Sequence, residues 1–207
     1  MSQISEASKV SDTKGVLPDY VTFDPTTQST PNPILKKIAK KFTFPLSSQD
    51  FEDIKLLEAK FHEEENISGL AAPQIGISKA AIIFAAPDNP QIKKWRPDLT
   101  QTMEKQIWLN PFYEGIKEFG MHEDFEACFS VEKLAGLVNR FKKIRYYAFD
   151  IEGREIVGTA EGFLARIIQH EIDHLNGILF IEIARPDSIK PIEEYRKERK
   201  NALDQNS

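Results

Sequence analysis

The segment His170-Glu171-Ile172-Asp173-His174 carries the most specific chemistry in this chain. Two imidazoles four residues apart on an α-helix lie one turn apart on one face. They can grip a single divalent ion, and the intervening glutamate can reach the ion's open side as a base. The surrounding stretch, 161–175, reads as strongly helical. Its stripe of Phe163, Ile167, His170 and His174 follows the i, i+4, i+7, i+11 pattern of a buried face, so the histidines point inward. Without a metal, the same pentapeptide would be a pair of hydrogen-bonded core histidines or a chance occurrence on a solvated helix. The apolar stripe argues against the solvated helix.

A catalytic divalent site takes three protein ligands and keeps a position open. Cys128, the only cysteine, sits in Glu126-Ala127-Cys128-Phe129-Ser130. A lone cysteine is by default a small buried hydrophobe. As a thiolate, however, it suits a borderline or soft divalent ion, and coordination would lower its pKa. His122, Glu123 and Asp124 are rival ligands on what reads as the same loop. Glu171 then acts as proton shuttle, taking a proton from metal-bound water and returning it to a leaving amine. The attacked carbonyl becomes an oxyanion and needs donors. The Gln74 side-chain amide and the Phe129 backbone N–H are candidates, although Gln74 taken alone is an ordinary loop glutamine.

The elements that must position these groups are partly legible. Residues 1–27 are polar and irregular and read as a loosely attached arm. A short helix is expected from the proline at 33 to Lys41. A longer one should be capped by Ser47 or Ser48, with Phe51, Ile54, Leu57 and Phe61 on its apolar face. The small-residue segment 68–76 suggests backbone held close to something else. Strands are expected at 80–85, at 106–110 (stopped by Pro111), at 143–151 and 154–159 around a Glu152-Gly153 turn, and at 178–181. Residues 87–105 read as a loop, and 190–204 as a charged surface helix. Strands in mid-chain with helices at both ends suggest an α+β class.

The 207 residues suit one domain with a sizeable core, at 41% hydrophobic and 29% charged content. The net charge of −5 gives no global basic field for DNA or RNA. No apolar run suffices to span a bilayer. The start lacks a signal peptide's basic and apolar regions and a transit peptide's arginines, so a cytosolic, bacterial home is expected. A single cysteine excludes an intramolecular disulfide.

Three segments stand in order: Gly69-Leu70-Ala71-Ala72-Pro73-Gln74, Glu126-Ala127-Cys128-Phe129-Ser130 and Gln169-His170-Glu171-Ile172-Asp173-His174. Together they closely resemble the three motifs of the peptide deformylases, over roughly residues 25–185. The resemblance implies mixed or antiparallel strands around a central helix that carries the metal motif. It implies a catalytic domain at 28–187, flanked by the arm at 1–27 and a C-terminal charged helix or tail at 188–207. The implied reaction removes the formyl group from the N-terminal formylmethionine of new polypeptides and releases formate. Metal-bound water would attack the formyl carbon. Cys128, His170 and His174 would hold one divalent ion, natively Fe(II), with Ni, Co or Zn as substitutes. Glu171 would be the general base and acid, while Gln74 and the Phe129 amide polarise the formyl oxygen. Gly69 would meet the substrate backbone. Leu70, Phe129 and Ile167 are candidate walls of a methionine pocket, and Arg140 is placed to pair with Glu126.

Three positions depart from the family pattern: Ile67 and Ala127 stand in place of glycines, and Glu132 in place of a proline. Ala127 would be strained if that position had φ > 0. Two other functions compete. One is a metallopeptidase, disfavoured because no histidine follows His174. The other is a deformylase-like protein that keeps its metal without catalysis, disfavoured by the intact Glu171 and Gln74. The C-terminal helix reads as a solvated face, with ribosome docking as the sharper alternative.

Overall fold

The computed structural model describes residues 17–205. Along the chain run α1 (Ser48–Glu63), β1 (Gly69–Ala71), β2 (Ala81–Ala86), α2 (Pro90–Trp95), β3 (Met103–Gly115), β4 (Met121–Cys128) and β5 (Val131–Phe141). Then follow β6 (Lys143–Phe149), β7 (Glu155–Glu161), α3 (Gly162–Leu175), α4 (Phe180–Ile183), β8 (Lys190–Pro191) and α5 (Ile192–Gln205). One sheet has the order β1-β2-β3-β6-β7 and a second has β4-β5-β8. All their pairings are antiparallel. This is the α+β architecture expected.

The larger sheet is covered on both faces, and β2 shows why its sequence is continuously apolar. Side chains alternate across a strand. Ile82 and Phe84 pack into a core with Trp108, Ile144 and α3's Leu164 and Ile168. Ala81 and Ile83 face the other way, into a core with α1's Ile54, Leu57 and Phe61. A third core, including Val131, Val138, Leu179 and Phe180, underlies the second sheet. The helix α3 lies in the seam between the sheets, and its ends are set by two glycines. Gly162 has φ +59, and a Cβ there would lie 2.1 Å from the Asp98 carbonyl oxygen. At the other end Gly177, at φ +72, donates to His174 O while Ile178 N donates to Asp173 O. That pair of bonds is the left-handed stop that ends helices at glycine.

Several expectations give way to tertiary bonding. The helix expected from residue 33 to 41 is only a 3₁₀ turn, Pro33–Lys36, capped by Asn32. It stops because Ala39 N donates to Leu175 O and Lys40 N to Ser78 O. Pro111 does not stop β3. It lies at an irregularity between Leu109 and Phe112, where Asn110 adopts φ 51 and its side chain makes two hydrogen bonds with the Phe42 backbone. Residues 178–181 are not a strand: α4 starts at Phe180, and the Glu182 carboxylate accepts from Leu179 N. The loop at 87–105 contains α2, capped by Asn89. Residues 122–124 belong to β4, not to a loop.

The loose arm expected at 1–27 does not extend over residues 20–23. Residues 1–16 lie outside the described residues. At 20–23 the chain packs: Phe23 is buried, and Val21 N donates to Gln74 O. The charged helix at 190–204 is present as α5, but its inner face is fastened down. Tyr195 packs on Phe125 and Arg199 pairs with Asp124.

Gly162→Ala should destabilise the fold by about 2 kcal/mol or more, since it adds both a disfavoured φ and a collision with Asp98. Urea unfolding measures this. A loss below about 0.5 kcal/mol would show that the start of α3 can shift freely.

Candidate active site

The helix α3 brings His170 and His174 to the seam, and the tight turn between β4 and β5 brings Cys128 to face them. The ligand atoms of Cys128, His170 and His174 all lie within 4.8 Å of one another. His174 is 1% exposed, and neither ring nitrogen has a hydrogen-bond partner. Burying an imidazole with both nitrogens unsatisfied is costly, and a metal ion is the natural occupant for such a lone pair. One thiol and two imidazoles match the donor set of a borderline divalent ion. The rivals are turned away: Asp124 pairs with Arg96 and Arg199, and Glu123 pairs with Arg185. His122 is exposed, and its carbonyl accepts from Arg166.

Behind the trio lies Glu126, whose carboxylate accepts four hydrogen bonds. Arg140 Nε and one of its terminal nitrogens each donate at 2.9 Å, as the family resemblance implied. Arg166 donates at 2.7 Å, and His170 Nδ1 lies at 2.8 Å. Arg140 also pairs with Asp173. Burial alone would raise the Glu126 pKa, but His170 and Arg140 hold it far below the carboxylate range. Bonding of Nδ1 to Glu126 leaves Nε2 for the metal, the usual way a carboxylate orients a ligating histidine. Burial would likewise lower the His170 pKa. Hydrogen bonds with Cys128 and Glu126 raise it well above the ordinary imidazole value. Burial, and then the neighbouring His170, push the His174 pKa well down, so that ring is neutral.

Glu171 is 4% exposed, and its Oε2 has no partner. Burial pushes its pKa up to about 7. Gly69 lies directly against it: a Cβ on Gly69 would come within 2.4 Å of Glu171 Oε1. Gln74 is buried at the end of the small-residue segment. Its Oε1 accepts from Ala71 N at 2.8 Å, so the side chain offers its NH₂ donors to the site. Phe129 stands in the β4–β5 turn, and its ring is stacked on Tyr20.

These groups line a cavity of about 510 Å³, together with Ile167, Phe163 and Phe125. Leu70 is not among the walls; its side chain is fully buried in the α1 core. Ala127 does line the cavity, but it has no positive φ, so an alanine is unstrained there. Sequence reasoning missed Arg166, Asp173 and Arg96. The signal for the first two was spacing, since 166, 170 and 173 share one helix face at i, i+4, i+7. Arg96 stacks over Phe163, with its guanidinium carbon 4.2 Å from the ring centroid, and pairs with Asp98 and Asp124.

The raised Glu171 pKa has a sign. Below about 4.5 the carboxyl is neutral in both folded and unfolded chains. Between there and about 7 the unfolded chain ionises first, so folding stability falls as pH rises. Metal-free Glu171→Gln should therefore match the parent at low pH and exceed it above pH 7 by on the order of 3 kcal/mol. Denaturant unfolding at several pH values checks this; parallel curves would show that Glu171 ionises without penalty.

Comparison with known proteins agrees with this geometry. The polypeptide deformylase family model matches residues 27–189. Peptide deformylase 2 of Rickettsia conorii is 54% identical over 190 residues, covering 91% of this chain and 94% of the relative. The peptide deformylase of Carboxydothermus hydrogenoformans is 44% identical over 155 residues, covering 74% and 88%. Among solved structures, the Met-Ala-Ser-bound class I type b peptide deformylase of Acinetobacter baumannii superposes with a TM-score of 0.67 at 32% identity, covering 81% of this chain and 98% of that one. The chain belongs to the polypeptide deformylase family, hydrolases that remove the N-terminal formyl group from nascent polypeptides.

Proposed function

We propose that this chain deformylates the formylmethionine of newly made polypeptides with one divalent ion held by Cys128, His170 and His174, natively Fe(II), with Ni, Co or Zn as substitutes. The observation that carries the reading is the cluster of those three donors beside a buried carboxylate whose pKa is near 7. Bound there, a divalent ion supplies Lewis acidity and a water acidic enough to ionise near neutral pH. Glu171 would accept a proton from the attacking water on its carboxylate and deliver it to the methionine nitrogen as the C–N bond breaks. A base of pKa near 7 is matched to both transfers. The Gln74 NH₂ and the Phe129 N–H donate to the formyl oxygen as it gains charge.

Gly69 gives the substrate backbone close approach beside Glu171. Ile167 and Phe163 offer an apolar wall for the methionine side chain. The solved Acinetobacter relative, with Met-Ala-Ser bound, supports a product of this type. The working environment we infer is the bacterial cytosol; among the described residues no helix is long and apolar enough to cross a membrane. The ribosome is the partner proposed for α5, whose Lys197 and Lys200 are exposed.

The test is formate release from formyl-Met-Ala-Ser by anaerobically purified protein loaded with Fe(II) or Ni(II). Glu171→Ala should retain metal and lose about 10²–10⁴-fold in kcat/KM. Formate release unchanged in that variant would remove Glu171 as the base. No formate from the metal-loaded parent would favour the non-catalytic reading.

A further inference from the structure

Residues 20–23 precede the stretch matched by the family model, which begins at 27, yet they touch both sides of the site. Val21 N donates to Gln74 O at 2.7 Å, and Phe23 N donates to Ser130 O at 2.8 Å. Phe23 O accepts in turn from Glu132 N, which pairs this segment in parallel with β5 at Val131. In extended chain, the N–H groups of residues i and i+2 point the same way and stand about 6.7 Å apart. The strap therefore fixes the distance between the Gln74 and Ser130 carbonyls. One carbonyl belongs to a proposed oxyanion donor, and the other lies one residue after the second donor, Phe129.

The side chains repeat the arrangement. Tyr20 packs against the α1 core, while Val21 and Phe23 join the core beneath the second sheet. The Tyr20 ring lies parallel to Phe129, 8° off, with centroids 4.7 Å apart. Its other support is the buried Lys60 of α1, whose Nζ is 4.5 Å from the ring centroid. A column from α1 through Tyr20 to Phe129 thus seats the turn that carries the second donor.

We propose that residues 20–23 are a positioning element that sets the separation of the two oxyanion donors, the Gln74 side-chain amide and the Phe129 N–H. This rests on the deformylase reading. Donors on separate layers must sit where charge develops, and a displacement on the order of 1 Å costs about 10²-fold in rate. The strap acts through Gln74 and Phe129 and takes no part in bond making.

The experiment uses the full-length, Ni(II)-loaded protein with Tyr20→Ala, Tyr20→Phe and Val21→Pro; the proline removes the N–H that reaches Gln74. Tyr20→Ala and Val21→Pro should lower kcat for formyl-Met-Ala-Ser about 10- to 100-fold, with KM nearly unchanged and metal retained. Tyr20→Phe, which keeps the ring, should restore the parent rate. Amide hydrogen exchange should quicken at 71–75 and 128–131 but not in α3. Three results each overturn the proposal: a raised KM at unchanged kcat, general loss of metal and protection, or unchanged exchange at those two loops. Absence of formate from the parent overturns the deformylase reading instead, and the exchange comparison then decides the strap by itself.

Discussion

The Glu126 carboxylate is the point on which the rest of the site depends. An ionised carboxylate has roughly four acceptor positions, and here Arg140 fills two, Arg166 one and His170 one. The four donors come from β5 and α3, while Glu126 itself is on β4. One buried anion therefore sets the second sheet against α3 and fixes the rotation of the His170 ring. A buried carboxylate without partners would be intolerable, and two buried guanidiniums without it would be worse. Such a network adds little net stability compared with apolar packing, but it permits few alternative arrangements. A site proposed to hold three metal ligands at fixed separation gains from that restriction.

The two layers have unequal tasks. The larger sheet, covered by α1 and α3, supplies a rigid apolar platform that carries Gly69 and Gln74 at its edge. The smaller sheet contributes Cys128 and Phe129 on a tight turn. The proposed chemistry lies at the seam, so it is sensitive to how the layers are held together. Helix α3 spans the seam and is stopped at both ends by glycines whose backbone no other residue adopts easily.

The helix α3 and the strands β2, β6 and β7 were legible in the sequence because each repeats one physical period, whereas segments 69–74 and 126–130 stood out as motifs through the family resemblance. The β4–β5 pair was not legible. His122-Glu123-Asp124 looks like loop composition, but it is laddered to β5 and its polar groups are met by the arginines at 96, 166, 185 and 199. Those partners are distant in sequence, so no local pattern announces them. Pro111 misled for a related reason: its missing N–H matters only where a ladder bond is required, and Asn110 redirects the chain there. Leu70 was placed on the pocket wall because the motif around it is catalytic, whereas strand alternation sends its side chain to the opposite face. The pairing of Arg140 with Glu126 was legible only through the family resemblance.

The pocket itself poses an electrostatic question that these pairings answer. Arg96 and Arg166 both line the cavity proposed to take an apolar methionine side chain. An unpaired guanidinium there would keep water in the pocket and disfavour an apolar guest. Neither is unpaired: Arg166 is spent on Glu126 and three backbone carbonyls, and Arg96 on Asp98 and Asp124. What Arg96 presents to Phe163 is the flat face of its guanidinium, which has few hydrogen-bonding demands and stacks well on a ring. Asp124 is held in turn by Arg199 of α5. The C-terminal helix therefore reaches the pocket from outside the segment matched by the family: through Arg199 it holds the same Asp124 that pairs with Arg96, and its Ile192 and Arg196 line the cavity directly.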